Sequence, residues 1–132
     1  STDTYTLKPQ HLRKNYLVKQ MNKTGDWLNI PLSAGTPAKS YLEHFWKAVD
    51  VALDRCQPDF ILISAGFDVM SGDPLGNMRL EPEDLHTLTR GLLERARGST
   101  PVVAALEGGY DVTRTGLGVS AVLRALTGIA LD

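Results

Sequence analysis

The sequence is short of cysteine, histidine, net charge and long apolar runs, and each shortage removes a class of protein. One cysteine, Cys56, in 132 residues leaves no partner for an intrachain disulfide, so a reducing compartment is the expected setting. Cys56 stands at the apolar end of a predicted helix and reads as core packing rather than a nucleophile. A formal net charge of −1, from 14 basic and 15 acidic side chains, gives no bulk attraction to nucleic acid or anionic membrane. No apolar run approaches the ~20 residues that span a bilayer, and the opening "STDTYTLKPQ" has no signal-peptide character. These absences predict a soluble, cytoplasmic protein (nuclear in a eukaryote) without a direct nucleic-acid or membrane partner.

What the chain does have is alternation. Its 42% hydrophobic and 22% charged residues suit one modest domain that buries most of its apolar surface. "WLNIPL" (27–32) is expected to form a short strand, with Thr36-Pro37 as N-cap and first residue of a helix. Leu42, Phe45, Trp46, Val49, Ala52, Leu53 and Cys56 then recur at helical spacing. "DFILISAG" (59–66) is continuously apolar at its centre and predicts a buried strand. Pro82, Glu83 and Asp84 mark a second helix start, and Leu85, Leu88, Leu92, Leu93 and Ala96 give that helix one apolar face. "PVVAALEGG" (101–109) reads as a third strand, followed by a helix over about 111–127 with Gly128 as its stop. The fold class is therefore α/β, a parallel sheet flanked by helices with right-handed connections. Residues 1–26 fit less well; a helix with Leu12, Tyr16 and Met21 on one side is a loose match, and this segment is set apart from 27–132.

Ligands of open parallel sheets bind beyond the carboxyl ends of the strands. Two loops leave such ends: "SAGFDVMSGDPLG", with Asp68 and Asp73, and "LEGGYD", with Glu107, Gly108, Gly109, Tyr110 and Asp111. If the two strands are neighbours, both loops share one edge, and a carboxylate from the first stands near a phenol from the second. Carboxylate oxygen is a hard ligand for a divalent ion, and a tyrosine hydroxyl can donate to a developing oxyanion. The glycines permit close approach of a ligand to the backbone. On the residues alone, plain turns with Asp111 as a helix cap remain the default reading.

The two motifs in this order, with "NIPLSAGT" ahead of the first helix, resemble the C-terminal half of the zinc-dependent deacetylases. That family comprises histone deacetylases, acetylpolyamine amidohydrolases and acetoin-utilisation proteins. The resemblance runs from about Trp27 to the end and implies the C-terminal portion of an arginase/deacetylase-like three-layer fold. It implies Asp73 as a zinc ligand and Tyr110 as the catalytic phenol that polarises the substrate carbonyl. It also implies Gly108, Gly109 and Leu80 as walls of the channel for an acyl-lysine or acetylpolyamine arm. Zinc-bound water is the nucleophile in such enzymes. Asp68 is matched without a ligand role and is expected to hold the loop. Two positions depart from the pattern: Met70 stands where many bacterial members have histidine, and Glu81 where a hydroxyl residue often caps the helix.

A catalytic zinc takes about three protein ligands and an open position. The family draws two of them from an Asp-x-His segment and its general base from a His-His pair. Neither occurs here: the histidines are His11, His44 and His86, none adjacent to another. His44 and His86 fall on predicted sheet-covering helices and read as packed or solvated side chains. Two functions stay open at this point: a portion of a zinc deacetylase, completed by a missing N-terminal half, or a non-catalytic, truncated binding or assembly module. A parallel sheet cut through its middle also favours self-association.

Overall fold

Among the described residues, three amphipathic helices alternate with two short strands: α1 (Ala38–Cys56), β1 (Ile61–Ala65), α2 (Pro82–Arg95), β2 (Val102–Leu106) and α3 (Val112–Thr127). The computed structural model describes residue 28, residues 30–96 and residues 100–131. Leu32–Asp132 form one compact unit, and every contact described below lies within it. The loose helix expected over Leu12, Tyr16 and Met21, and His11 with it, fall outside the described residues, as does the side chain of Cys56.

Each helix begins and ends where its local chemistry directs. Ahead of α1, the Thr36 hydroxyl donates to the Ser33 carbonyl at 2.6 Å, so the expected Thr36 cap moves by one residue. Pro37 occupies the N-cap position without a side-chain bond. The helix ends at Gln57, in the left-handed region with φ 43°, whose N–H returns to the Leu53 carbonyl at 3.0 Å. In α2, Pro82 takes the first position, where a missing N–H costs nothing. The Asp84 carboxylate accepts from the Glu81 N–H at 2.8 Å, one half of a capping box. In α3, Asp111 is the N-cap and accepts from the Arg114 N–H at 2.8 Å; Gly128, with φ 78°, closes the helix.

β1 and β2 pair in parallel, in a register that runs from Ile61 opposite Val102 to Ala65 opposite Leu106. Of the strand expected over residues 27–32, the described residues, Leu28 and 30–32, carry no strand assignment, and Trp27 and Asn29 lie outside the described residues. Pro31 has no N–H to give a ladder, which disfavours pairing at that point. The sheet therefore has two strands among the described residues. The expected burial of β1 is also only half met. Ile61, Ile63 and Ala65 are half-buried, whereas Leu62 is 67% exposed. A continuously apolar strand needs cover on both faces, and two strands with their helices do not supply it.

The core lies on the helical side. Phe67, Met70, Leu80, Leu85 and Val122 form one cluster, with Ala121 and Ala125 fully buried. The approach of α3 to the turn after β1 depends on Gly118. A β-carbon there would lie 2.5 Å from the Phe67 ring and 2.7 Å from the Met70 sulfur, far inside van der Waals contact. Met70, the position often held by histidine in the resembling family, is here a buried core residue.

Candidate active site

The parallel register brings the two strand ends side by side, and the backbone continues the pairing past them. The Glu107 N–H donates to the Ala65 carbonyl at 2.9 Å, and the Phe67 N–H to the Gly108 carbonyl at 3.1 Å. A one-turn 3₁₀ helix, Phe67–Val69, then turns the first loop, and an isolated bridge between Met70 and Leu80 closes its base. Asp73 is thereby suspended over the end of β2.

Asp73 is the link between the loops. Its Oδ1 accepts from the Leu75 and Gly76 amides at 2.8 and 2.9 Å, and its Oδ2 accepts from the Tyr110 amide at 2.7 Å. Burial pushes its pKa up. The N–H groups of Tyr110, Leu75, Gly76 and Asp111 more than reverse that, leaving the carboxyl below its ordinary value. The group is held ionised and in one orientation. Tyr110 stands beside it through its backbone, and the residue as a whole is 55% exposed. The two residues that the sequence pairs are thus brought to one sheet edge.

Gly108 and Gly109 have φ of 104° and 118°, left-handed conformations that disfavour any side chain. At Gly109 a β-carbon would also lie 2.5 Å from the Thr115 hydroxyl and 2.8 Å from Phe67 Cβ. Asp68 sits between the loops. Its carboxylate is 3.1 Å from where a β-carbon on Gly66 would be, and 3.4 Å from the same point on Gly108. Burial raises the pKa of the Tyr41 phenol above its ordinary value, and the Asp68 charge adds to that. Leu80, in contrast, has no exposed surface. It packs with Phe67, Met70 and Leu85 in the core cluster and pairs with Met70 through the isolated bridge.

A carboxylate has roughly four lone-pair positions; Asp73 accepts two amides at Oδ1 and one at Oδ2, with the Asp111 N–H also bearing on it, so a cation contact would fall at Oδ2. That chemistry fits one ligand of a hard or borderline divalent ion. It does not make a complete site: among the described residues no group of three His, Cys, Asp or Glu side chains could hold a metal ion. His44 and His86 are engaged elsewhere, their rings bonded to the carbonyls of Ser40 at 2.7 Å and Ile129 at 3.1 Å.

One connection was not visible in the motifs. Arg114, in the first turn of α3, forms an ion pair with Glu81, at the start of α2. The cap sequence "EPED" and the arginine three residues after Asp111 were the available signals, but nothing in their spacing joins them.

Comparison with known proteins bears on the family and the fold. The model of the histone deacetylase domain matches residues 9–126. The uncharacterized protein slr0245 of Synechocystis is 40% identical over 99 residues, which is 75% of this chain and 32% of that protein. The polyamine deacetylase HDAC10 of Danio rerio is 35% identical over 102 residues, 76% of this chain and 15% of its own length. The solved structure of the histone deacetylase Clr3 has a TM-score of 0.70 at 29% identity, over 80% of this chain and 18% of that one. The chain therefore spans about a third or less of the length of these curated relatives. No helix among the described residues is long and apolar enough to cross a membrane. With a family model matching most of its length, and a solved deacetylase sharing its α/β arrangement, the chain belongs to the histone deacetylase family.

Proposed function

We propose that this chain is the C-terminal part of a zinc-dependent deacetylase that hydrolyses the amide of acyl-lysine or acetylpolyamine-type substrates. The observation that carries the reading is the ionised Asp73 carboxylate held 2.7 Å from the Tyr110 amide at the end of a parallel strand pair. Asp73 supplies one zinc ligand, and the remaining ligands and the histidine base come from residues other than those described. A bound zinc supplies Lewis acidity and lowers the pKa of water. Asp73 offers a fixed, deprotonated oxygen without first having to lose a proton at neutral pH. Tyr110 directs its phenol to the substrate carbonyl oxygen and strengthens that hydrogen bond as the oxygen gains charge. Gly108 and Gly109, bare of side chains, leave the backbone open to the substrate arm. A cytoplasmic or nuclear location accompanies this reading.

Zinc content measured beside turnover tests it in the intact deacetylase. Tyr110→Phe is expected to keep its metal and lose about 10²–10³ in kcat, the usual cost of one oxyanion donor. Asp73→Ala is expected to lose metal and activity together. Loss of zinc in Tyr110→Phe, or near-normal turnover, would overturn the oxyanion role. An intact protein that neither binds zinc nor turns over acetyl-lysine would favour the other reading, a non-catalytic binding or assembly module.

A further inference from the structure

The two loops of the candidate site are joined twice. The first joint is Asp73 to the Tyr110 amide. The second lies one helical turn away, where Arg114 Nη2 donates to Glu81 Oε2. Glu81 directly follows Leu80, the last residue of the Asp73 loop to enter the core, and stands at the start of α2. Arg114 lies in the first turn of α3, its own amide fixed by Asp111, the residue after Tyr110. Arg114 is thus four residues from Tyr110, and Glu81 stands at the foot of the loop that carries Asp73. Both ends are also rigid: Asp84 holds the Glu81 amide at 2.8 Å, and α3 is pinned against the 3₁₀ turn at Gly118.

The pair is partly exposed, Glu81 more than Arg114, and Arg114 Nε is buried without a hydrogen-bond partner among the described residues. Leaving such a donor unsatisfied is costly. An apolar side chain would avoid that cost, so the guanidinium is better explained by what it holds than by net stability. Its side-chain ion pair reaches across from α3 to the start of α2.

We propose that Arg114 and Glu81 are positioning residues, a strut that sets the separation of the Asp73 carboxylate and the Tyr110 phenol. This inference rests on the deacetylase reading for its catalytic consequence, though not for its structural one. Tyr110 is attached by its backbone, and the residue as a whole is 55% exposed, so the phenol inherits its placement from the ends of α2 and α3. Slackening the strut moves the phenol relative to the ligating carboxylate without removing either.

The test uses the intact, zinc-loaded protein with an acetyl-lysine peptide, and reads kcat, KM, zinc content and hydrogen exchange at the Tyr110 amide. Arg114→Met is expected to lower kcat by about tenfold, since small misplacements of reacting groups cost at least that much. KM should stay within about twofold and zinc content should be unchanged. The Tyr110 amide should exchange about fivefold faster, the effect of losing one partly exposed ion pair. The charge-exchanged pair Glu81→Arg/Arg114→Glu is expected to regain most of both losses. Should Arg114→Met fail to fold, Glu81→Gln gives the same readouts with the guanidinium in place. Wild-type kcat and exchange in the single variants overturn the strut. So does a loss that extends equally to zinc and KM and is not recovered by charge exchange, which marks ordinary structural damage. If the wild type shows no turnover, the deacetylase reading fails by itself, and the amide exchange still decides the strut.

Discussion

The helical side and the sheet of this molecule are built to different standards of burial. Between α2, α3 and the turn after β1, Met70, Leu80, Ala121 and Ala125 are fully buried, and α3 comes close enough to require a glycine at 118. Across the sheet, Leu62 is 67% exposed, Leu106 61% and Val103 48%. Both regions are apolar in sequence, so hydrophobicity alone does not separate them. What separates them is cover: a helix buries its stripe against one neighbour, whereas a parallel strand needs neighbours on two faces and two edges. The site lies where these regions meet, with its loops leaving the sheet and its supports standing on the helices.

The sharpest way to break this comparison is truncation on both sides. Met70→Ala and Leu80→Ala are each expected to lose about 2–5 kcal/mol, the cost of emptying a packed core position. Leu62→Ala and Val103→Ala should stay within about 0.5 kcal/mol, as for exposed positions. Urea melts of the four variants measure the difference. Equal losses on both sides would mean that the sheet face is covered in solution. A second effect concerns assembly rather than stability. The bare sheet predicts self-association of the 132-residue chain, and Leu62→Lys should shift sedimentation towards the monomer without moving the melt. An unchanged sedimentation profile would exclude that face from the contact.

The smallest effect sharpens the comparison at the site itself. The folded-state pKa of Asp73 lies below its ordinary value, so in acid the unfolded chain holds a proton that the folded chain gives up. The stabilisation from this group is therefore complete above the ordinary carboxylate range, and is lost as pH falls through the depressed value. Asp73→Asn should flatten that part of the acid limb in stability measured against pH, lowering stability most at neutral pH and converging with the wild type in acid. An acid limb identical to the wild type would show that the amide donors on Asp73 do not hold its charge.

Much of the architecture was legible along the chain. Apolar residues at helical spacing located all three helices, and Asp111 and Gly128 marked the ends of α3, because helices are specified by contacts three and four residues apart. The two motif loops were placed at neighbouring strand ends for a similar reason: a continuous apolar run followed by Asp and Gly is a local signal. The strand expected over residues 27–32 has no counterpart among the described residues, because pairing is not local and Pro31 weakens it. The burial of Leu80 was not legible, since its core neighbours come from the 3₁₀ turn, α2 and α3. Gly118 carries no local sign that it must be glycine; only the ring of Phe67 and the sulfur of Met70 impose it.

The sequence by itself determined the elements, their order, and the residues at the two strand ends, because these follow from backbone propensity and short-range periodicity. The tertiary structure alone decided that Asp73 spends its oxygens on amides from both loops, including that of Tyr110, 37 residues away. It also decided that Glu81 and Arg114 meet. Those outcomes depend on the closing of α2 and α3 over a shared core, a geometry with no trace in the spacing of the residues it brings together.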